Sequence, residues 1–429
     1  MAGNSYLSQT QWFVGAEKPP HLTCLAPWEG WNDLYNDTAR QGGIPNPEFQ
    51  QNLLDGCMPG QGRTEDVTAM THKYPLWNDY WEDRRARCDK IEVPVYIVAS
   101  WTNALHCRGT FRGWLETKVE EKWLRVHNNH EWQGAACLIM IKASSLTELD
   151  FYRSENVEDL RKFYDHYMKN KSNGWEYTPR VRLSILNPGH KDIVNRPEQD
   201  FPLQRQVSRK LFLDAFTGQM SLDTAPQAES QVKCDARTGL LKFTHVFNTR
   251  TELTGFFKLR LWVEVIGHAD LDLFAKFSKL NASGTLLETK CIDVTYLSDD
   301  PEKQIKELER LHVEGDKHIN VFFAEGSTGR LRASHRELDE ARSTPHRPAY
   351  SHRNLQNLEP GEVVPVEIEL WPHGMIWEAG EQIRVTVSGF NTRPEIMWRT
   401  PPGELFNRGE MVLHTGGKFD SHLLIPFIP

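Results

Sequence analysis

The sequence predicts a chain in two parts, an α/β region followed by an all-β region. Residues 93–99 and 122–127 are short runs rich in apolar residues, and a predicted helix lies between them. A strand, a helix and a strand of these lengths are typical of a βαβ unit and therefore of a parallel sheet. From Arg180 onward, apolar and polar residues alternate in about eight short runs separated by turn residues, which predicts an antiparallel sandwich of the jelly-roll type.

Composition and charge exclude several classes of function. The net charge is −8 over 429 residues, so there is no electrostatic support for nucleic-acid binding. No stretch approaches the roughly 20 apolar residues that span a bilayer, and the first residues do not resemble a signal peptide. The seven cysteines are scattered without a C-x-x-C pair, which favours a reducing cytosol and no zinc site. We therefore expect a small-molecule or peptide substrate, no metal, no cofactor, and neither nucleic-acid nor membrane partners; nothing supports a homo-oligomer.

The first residues contain a motif with chemical meaning. The run from Gly3 through Ser5 to Tyr6 predicts a nucleophile elbow, in which a serine stands on a tight turn between a strand and a helix. The N–H of Tyr6 is then placed to bind an oxyanion. Apolar residues at helical spacing predict a helix that ends before Pro19. Since Leu7 replaces the last glycine of the usual motif, a serine in a frayed terminus is the alternative.

The rest of the chain predicts these elements in order. Residues 22–25 form a short apolar run that predicts a buried strand, and residues 27–31 predict a turn. Residues 31–92 are polar and rich in glycine, proline and aromatic residues, which is typical of a cap over an active site or of a long surface excursion. Residues 150–169 predict an amphipathic helix, and residues 301–311 a helical insertion.

Two polar residues follow the predicted parallel strands. Asn103 and His130 come after the first and the second of these strands, where the chemistry of open parallel sheets is placed. The order serine, amide, histidine is the chain order of α/β-hydrolases, with asparagine in place of the acid. His106 is a rival histidine, for which a structural role at a helix start is the favoured interpretation, and for His127 core packing is the default. The weaker nucleophile candidates, both serines, are Ser8 and Ser100.

Four tryptophans are candidates for the lining of an acyl pocket. They are Trp28, Trp77, Trp81 and Trp101. Packing in an aromatic core is an equally good explanation of these residues.

Several motifs in order resemble the cocaine-esterase-like (CocE/NonD) hydrolases, relatives of the Xaa-Pro dipeptidyl-peptidases of serine-peptidase family S15. The motifs are Gly3-Asn4-Ser5-Tyr6, Pro27-Trp28-Glu29-Gly30, Val98-Ala99-Ser100-Trp101, Arg108-Gly109-Thr110, His130-Glu131-Trp132, Ser334-His335-Arg336-Glu337-Leu338 and Trp371-Pro372-His373-Gly374-Met375. The resemblance implies a partial α/β-hydrolase core with a helical cap insertion, followed by a C-terminal jelly-roll β-sandwich. The domains expected are the start of the core over 1–30, the cap over 31–92, the rest of the core over 93–178 with an anomalous insert at 133–149, and the sandwich over 179–429.

The resemblance also implies roles for individual residues. Ser5 is the expected nucleophile, His130 the general base, and the N–H of Tyr6 an oxyanion donor. Asn103 occupies the position of the family's aspartate, and an amide there orients a catalytic histidine poorly. Glu131 and Asp89 are the neighbouring carboxylates that could take its place. The early strands of the core and a second oxyanion donor are expected to be missing.

Three functions are compatible with these observations. The first is a serine hydrolase that cleaves an ester or amide bond, including an Xaa-Pro dipeptidyl bond, through an acyl-enzyme. The second is a catalytically impaired remnant that acts as a binding or structural protein. The third is an acyltransferase or cyclase of secondary metabolism on the same scaffold.

Overall fold

The computed structural model of the protein describes residues 1–47, 62–103, 105–129, 153–291, 300–315, 319, 322–392 and 406–429. Within these ranges the strands form a six-stranded sheet, a twelve-stranded sheet and a small two-stranded sheet. The first two sheets correspond to the predicted α/β and all-β parts, so the predicted fold class is confirmed. The predicted insert at 133–149 lies outside the described residues.

The first sheet is mainly parallel and its strands follow the order of the chain. Its strands are β1 (Ala2–Asn4), β2 (Ala26–Trp28), β3 (Val95–Ser100), β4 (Lys122–His127), β5 (Val181–Ile185) and β6 (Ile193–Glu198). Strands β1 to β5 pair in parallel, and β6 is antiparallel to β5. The carboxyl ends of β1 to β5 therefore lie along one edge of the sheet.

Helices cover both faces of this sheet. They are α1 (Tyr6–Glu17), α4 (Cys107–Glu116) and α5 (Ser154–Lys169). Along β3, Ile97 packs in one cluster with Trp12 of α1 and Phe111 of α4. The next residue, Val98, packs in a second cluster with Phe163 of α5. The central strand is apolar on both faces because helices lie on both sides of it.

In the described parts of the predicted cap region, residues 31–47 and 62–92, the regular elements are short. The region holds the short helices α2 (Val67–Lys73) and α3 (Asp79–Glu82) and one π-helical turn over Tyr35–Ala39. A small cluster centred on Tyr35, Trp77 and Trp81 is its apolar core. The N–H of Trp77 donates to the carbonyl of His352, 2.9 Å away, so this region packs on the second part of the chain.

The second part is an antiparallel β-sandwich around one large core cluster. Its strands are β7 (Val207–Asp214), β8 (Gln219–Leu222), β9 (Ser230–Asp235), β10 (Leu240–Val246), β11 (Thr251–Ile266), β12 (Asp272–Leu280), β13 (Leu286–Leu287), β16 (Thr328–Arg332), β17 (Val364–Trp377), β18 (Gln382–Ser388), β19 (Glu410–Thr415) and β20 (His422–Ile428). The small two-stranded sheet consists of β14 (Thr289–Lys290) and β15 (Phe323–Ala324). The longest strand, β11, pairs with β17, β19 and β20. The helical insertion predicted at 301–311 is α6 (Pro301–Val313).

Two strands lie elsewhere than predicted. Strand β5 carries the alternating pattern expected of the sandwich, yet it pairs in parallel with β4 in the first sheet. The pattern misleads because Arg182, which resembles a solvent-facing residue, is paired with Asp159 of α5 at 2.9 Å. The first sheet therefore extends to β6, beyond the boundary predicted at residue 179. Strand β2 lies at Ala26–Trp28 rather than at residues 22–25.

The described cysteines are free thiols: Cys24, Cys88, Cys107, Cys234 and Cys291. Burial raises the pKa of the Cys24 thiol to about 11, which lowers its reactivity as a nucleophile. Among the helices described, none is both long enough and apolar enough to cross a lipid bilayer.

Candidate active site

Ser5 lies on a strained turn between β1 and α1. Its backbone has φ 53° and ψ −121°, a conformation that residues other than glycine rarely adopt. Its N–H donates to the carbonyls of Trp28 and Glu29 at 3.1 and 3.0 Å, which ties the turn to the end of β2. Gly3 has φ 145°, and a Cβ there would lie 2.5 Å from the Cβ of Leu7. The strand, turn and helix have the arrangement that the elbow motif predicts.

The histidine that contacts Ser5 is His106. Its Nε2 lies 3.0 Å from the Ser5 Oγ, across a sequence separation of 101 residues. His106 is buried, and its backbone is held by Asn103 Oδ1, which accepts its N–H at 3.1 Å, and by Thr110, whose N–H and hydroxyl both donate to its carbonyl at 2.9 Å. From the sequence, a structural role at a helix start is the favoured interpretation of this histidine. His130, the base that the family resemblance implies, lies outside the described residues.

Asn103 supports His106 through the main chain. Its Oδ1 accepts the N–H groups of Leu105 and His106 at 2.9 and 3.1 Å, in the turn that leads into α4. Its Nδ2 donates to Glu29 Oε2 at 2.8 Å. With both ends of the amide engaged, the orientation of Asn103 is determined by its partners.

A buried carboxylate and a second histidine complete the cluster. Glu29 follows β2 with φ 47°, and its side chain is bonded to Asn103 and to Nε2 of His127. Both Glu29 and His127 are almost fully buried. Of the two carboxylates suggested by sequence, Asp89 pairs with Arg87 at the surface at 3.0 Å, and Glu131 lies outside the described residues.

Sequence reasoning missed Glu29 because it assigned residues 27–31 to a turn. Had the strand been placed at 26–28, Glu29 would have been recognised as a polar residue directly after a parallel strand. That position is the same kind of signal that singled out Asn103. The placement of β2 therefore decided whether the carboxylate could be found.

The other serine candidates are buried inside the structure. Ser100 is fully buried, and its hydroxyl donates to the carbonyl of Asn129 at 2.7 Å. Ser8 is also fully buried, beneath Gly30. Ser5, which is partly exposed, is the accessible hydroxyl of the three.

The four predicted pocket tryptophans lie in three separate clusters. Trp77 and Trp81 belong to the cluster in the cap region. Trp28 packs edge-on against Tyr96 in the cluster beneath α5. Trp101 belongs to the cluster beneath α1 and α4, and its Nε1 donates to the carbonyl of Ser184 at 2.6 Å. The structure does not bring these four side chains to one place.

Helix α1 begins directly after Ser5. Tyr6 is the first residue of this helix, and the N–H groups of a first helical turn have no partner within the helix. The helix dipole adds a partial positive charge at the same end. The side chains of Tyr6 and Leu7 are 56% and 58% exposed, so an apolar rim lies open beside Ser5.

Comparisons with known proteins give matches to both parts of the chain. Residues 173–424 match the family model of the X-Pro dipeptidyl-peptidase C-terminal non-catalytic domain, and residues 1–55 match that of the X-Pro dipeptidyl-peptidases of the S15 family. A crystal structure of a CocE/NonD family hydrolase from Staphylococcus aureus is 31% identical, with a TM-score of 0.83 over 100% of this chain and 71% of that chain. A search of the curated proteins gave no match.

Two more distant structures share the fold. An aminopeptidase from a marine sediment Thaumarchaeota archaeon is 14% identical with a TM-score of 0.68. An α-amino acid ester hydrolase is 13% identical with a TM-score of 0.67. Each comparison covers 100% of this chain and 76% of the other chain.

Proposed function

Because the chain belongs to the CocE/NonD family of hydrolases, we propose that it is a serine hydrolase that cleaves an ester or amide bond through an acyl-enzyme. The observation that carries this proposal is the 3.0 Å approach of His106 Nε2 to the Oγ of Ser5, which stands on a strained elbow. The names of the similar proteins, X-Pro dipeptidyl-peptidase and α-amino acid ester hydrolase, suggest amino-acid esters and Xaa-Pro amides as the first substrates to test.

The reaction proceeds in two halves. In the first half, His106 Nε2 takes the hydroxyl proton of Ser5 while the Oγ attacks the substrate carbonyl carbon. The Tyr6 N–H donates to the oxyanion that forms, and protonated His106 returns its proton to the leaving alcohol or amine. In the second half, His106 takes a proton from water, the resulting hydroxide attacks the acyl carbon, and Ser5 leaves with the proton.

Labelling with a fluorophosphonate tests the assignment of Ser5. We expect the wild type to be labelled on Ser5, and Ser5→Ala to be neither labelled nor active toward an amino-acid p-nitrophenyl ester. A folded wild type that is not labelled on Ser5 would overturn the proposal and favour the impaired remnant. Circular dichroism of each variant establishes that the protein is folded.

Fluorophosphonate labelling also tests the assignment of His106 as the general base. We expect His106→Gln to slow labelling by about 100-fold or more, as removal of a general base does. His130→Gln is the matched comparison. If the loss follows His130→Gln and not His106→Gln, the base assigned here is wrong, while the role of Ser5 stands.

Product analysis separates hydrolysis from acyl transfer. The acyl-enzyme reacts with water in a hydrolase, whereas an acyltransferase or cyclase passes the acyl group to an alcohol or amine. We expect free acid to remain the main product when an amine acceptor is added. If the amide is the main product instead, the protein is an acyltransferase and not a hydrolase.

A further inference from the structure

We infer that Glu29 supplies the carboxylate of this site and acts as a positioning residue for the Ser5–His106 pair, in the role that the family resemblance gives to residue 103. This inference deepens the proposed function and rests on it.

The backbone of Glu29 is built into the elbow. Glu29 has φ 47°, and its carbonyl accepts the N–H of Ser5, which has φ 53°, at 3.0 Å. Its own N–H donates to Val98 of β3 at 2.8 Å, and the N–H of Gly30 donates to the Thr110 hydroxyl of α4 at 3.0 Å. Strained residues other than glycine persist where the surrounding structure determines them, and such residues cluster at active sites. Ser5 and Glu29 are two such residues, and a backbone hydrogen bond joins them.

The side chain of Glu29 joins the ends of three neighbouring strands. Glu29 follows β2, its Oε2 accepts from Asn103 after β3 at 2.8 Å, and its Oε1 is bonded to His127 at the end of β4. Glu29 is only 3% exposed. A buried carboxylate needs hydrogen-bond donors, and both of its oxygens have one.

Glu29 explains why residue 103 is an amide. Asn103 Oδ1 accepts the N–H groups of Leu105 and His106 in the turn before α4, so its other side-chain terminus faces Glu29. An aspartate at 103 would place a second carboxylate oxygen about 2.8 Å from Glu29 Oε2. Two carboxylates that close cannot both be ionised, so one would have to hold a proton. Asparagine avoids this conflict and keeps the turn that positions His106.

The same geometry predicts that the two residues can be exchanged. When Glu29→Gln and Asn103→Asp are combined, the aspartate introduced at position 103 still accepts the two N–H groups, and the amide introduced at position 29 donates to it. The number of charges and the number of hydrogen bonds between these two positions are unchanged. A purely structural role for Glu29 as a partner of His127 makes no such prediction.

The experiment is a double-mutant cycle with Glu29→Gln, Asn103→Asp and the double variant. The readouts are the rate of fluorophosphonate labelling of Ser5 as a function of pH and the thermal unfolding temperature. Glu264→Gln is the matched control, because Glu264 Oε2 lies 3.0 Å from His414 Nε2 in a similar pair on the sandwich. We expect this control to label at the wild-type rate.

We expect each single variant at the site to slow labelling by about 10- to 100-fold, as loss of a charged hydrogen bond does. The double variant should recover most of that loss. The labelling rate of Asn103→Asp should also be closer to the wild-type rate at about pH 5.5 than at about pH 8.5. At low pH the two carboxylates can share a proton, which removes the repulsion between them.

Three results overturn the inference. The first is a Glu29→Gln variant whose Ser5 is labelled at the wild-type rate. The second is a double variant whose labelling rate is reduced by the product of the two single reductions. The third is a reduction of the labelling rate in Asn103→Asp that does not depend on pH. If the wild type is not labelled at all, the proposed function fails separately. In that case the unfolding temperatures test whether residues 29 and 103 can be exchanged. Recovery of the unfolding temperature in the double variant supports the exchange, and additive decreases overturn it.

Discussion

Ser5 and Glu29 illustrate how a strained residue is held in place. Each has a positive φ, and neither is glycine. The strain at Ser5 persists because its N–H is bound by the end of β2 and because its carbonyl accepts the N–H groups of Ser8 and Gln9, the first bonds of α1. A glycine is needed where a Cβ atom at that position would collide with a neighbouring atom. Gly3 is such a position, since Leu7 lies directly against it.

Gly3→Ala should therefore disturb the elbow. The added methyl group would lie 2.5 Å from Leu7 Cβ on a backbone with φ 145°. We expect a loss of about 1–3 kcal/mol in the free energy of unfolding, from strain of this kind, and slower labelling of Ser5. Urea denaturation and the fluorophosphonate assay measure the two effects.

Gly62→Ala is the control for this prediction. A Cβ at Gly62 would have no atom within 4 Å. We expect this variant to match the wild type in both assays. Equal behaviour of the Gly3 and Gly62 variants would contradict the tight turn at the elbow.

At the scale of elements, helix α4 is docked to the first sheet by aromatic packing. Trp101 stacks on Phe111 of α4 with ring centroids 4.9 Å apart and an interplanar angle of 15°. Its indole N–H is bonded to β5. Trp101 is 3% exposed, so its environment is that of a core residue.

Trp101→Ala should reduce stability and leave substrate affinity unchanged. Loss of a buried tryptophan typically costs about 3–5 kcal/mol. We expect a lower unfolding temperature with a KM close to that of the wild type, and Trp101→Phe should retain more of the stability. A raised KM with unchanged stability would instead support the acyl-pocket interpretation of this residue.

The contact between the cap region and the sandwich contains a buried histidine pair. Nδ1 of His335 lies 3.0 Å from Nδ1 of His352, whose Nε2 lies 3.1 Å from Asn36 Oδ1. Burial, with the charges of Arg40 and Arg332, lowers the pKa of His335 to about 3. Burial also places the pKa of His352 well below its ordinary value. Both rings are therefore neutral in the folded protein.

This pair predicts that stability falls as the pH is lowered. In the unfolded chain both histidines take up a proton near pH 6.5, whereas in the folded chain they remain neutral well below that pH. Each histidine therefore removes up to about 1.4 kcal/mol of folding free energy per pH unit below about 6.5. We expect urea denaturation between about pH 7.5 and 5 to show this slope and His335→Gln to reduce it. A slope that His335→Gln leaves unchanged would contradict the prediction.

At the scale of the whole molecule, Arg108 connects three parts of the chain. It lies in α4, two residues after His106. Its Nη1 is 2.5 Å from Asp37 in the cap region, and its Nε is 2.8 Å from Glu369 of β17 in the sandwich. All three residues are buried. The carboxylates hold the pKa of the guanidinium above its ordinary value, so it remains charged.

Arg108→Ala should weaken the association of these parts. Removal of one partner from a buried ion pair typically costs about 3–5 kcal/mol, because the remaining charges stay buried. We expect scanning calorimetry to show a lower unfolding temperature. We also expect slower fluorophosphonate labelling of Ser5, since α4 begins directly after His106. Arg310→Ala in α6, which breaks exposed pairs with Glu307 and Glu314, should change neither quantity. Equal unfolding temperatures for the two variants would contradict the proposed link.

Periodicity was a sufficient guide to most elements. Strand β4 lies where apolar spacing predicts it, because all of its residues except Lys122 are buried. Helix α1 also lies where it is predicted, although its buried residues are mainly polar and Trp12 is the large apolar residue among them. Periodicity gave the wrong sheet for β5, because Arg182 has the polarity of an exposed residue but is paired with Asp159 of α5. It also failed at β2, which is three residues long and too short to show a period.

The fold class, the family and the serine on the elbow could all be predicted from the sequence, because they depend on local spacing and on the order of motifs. The tertiary structure decided which side chains meet that serine. His106 reaches Ser5 from 101 residues away, and Glu29 reaches His127 from 98 residues away. Spacing along one strand says where its end lies but not which neighbouring ends converge on it. That convergence depends on the order of strands in the sheet and on the turns that follow them.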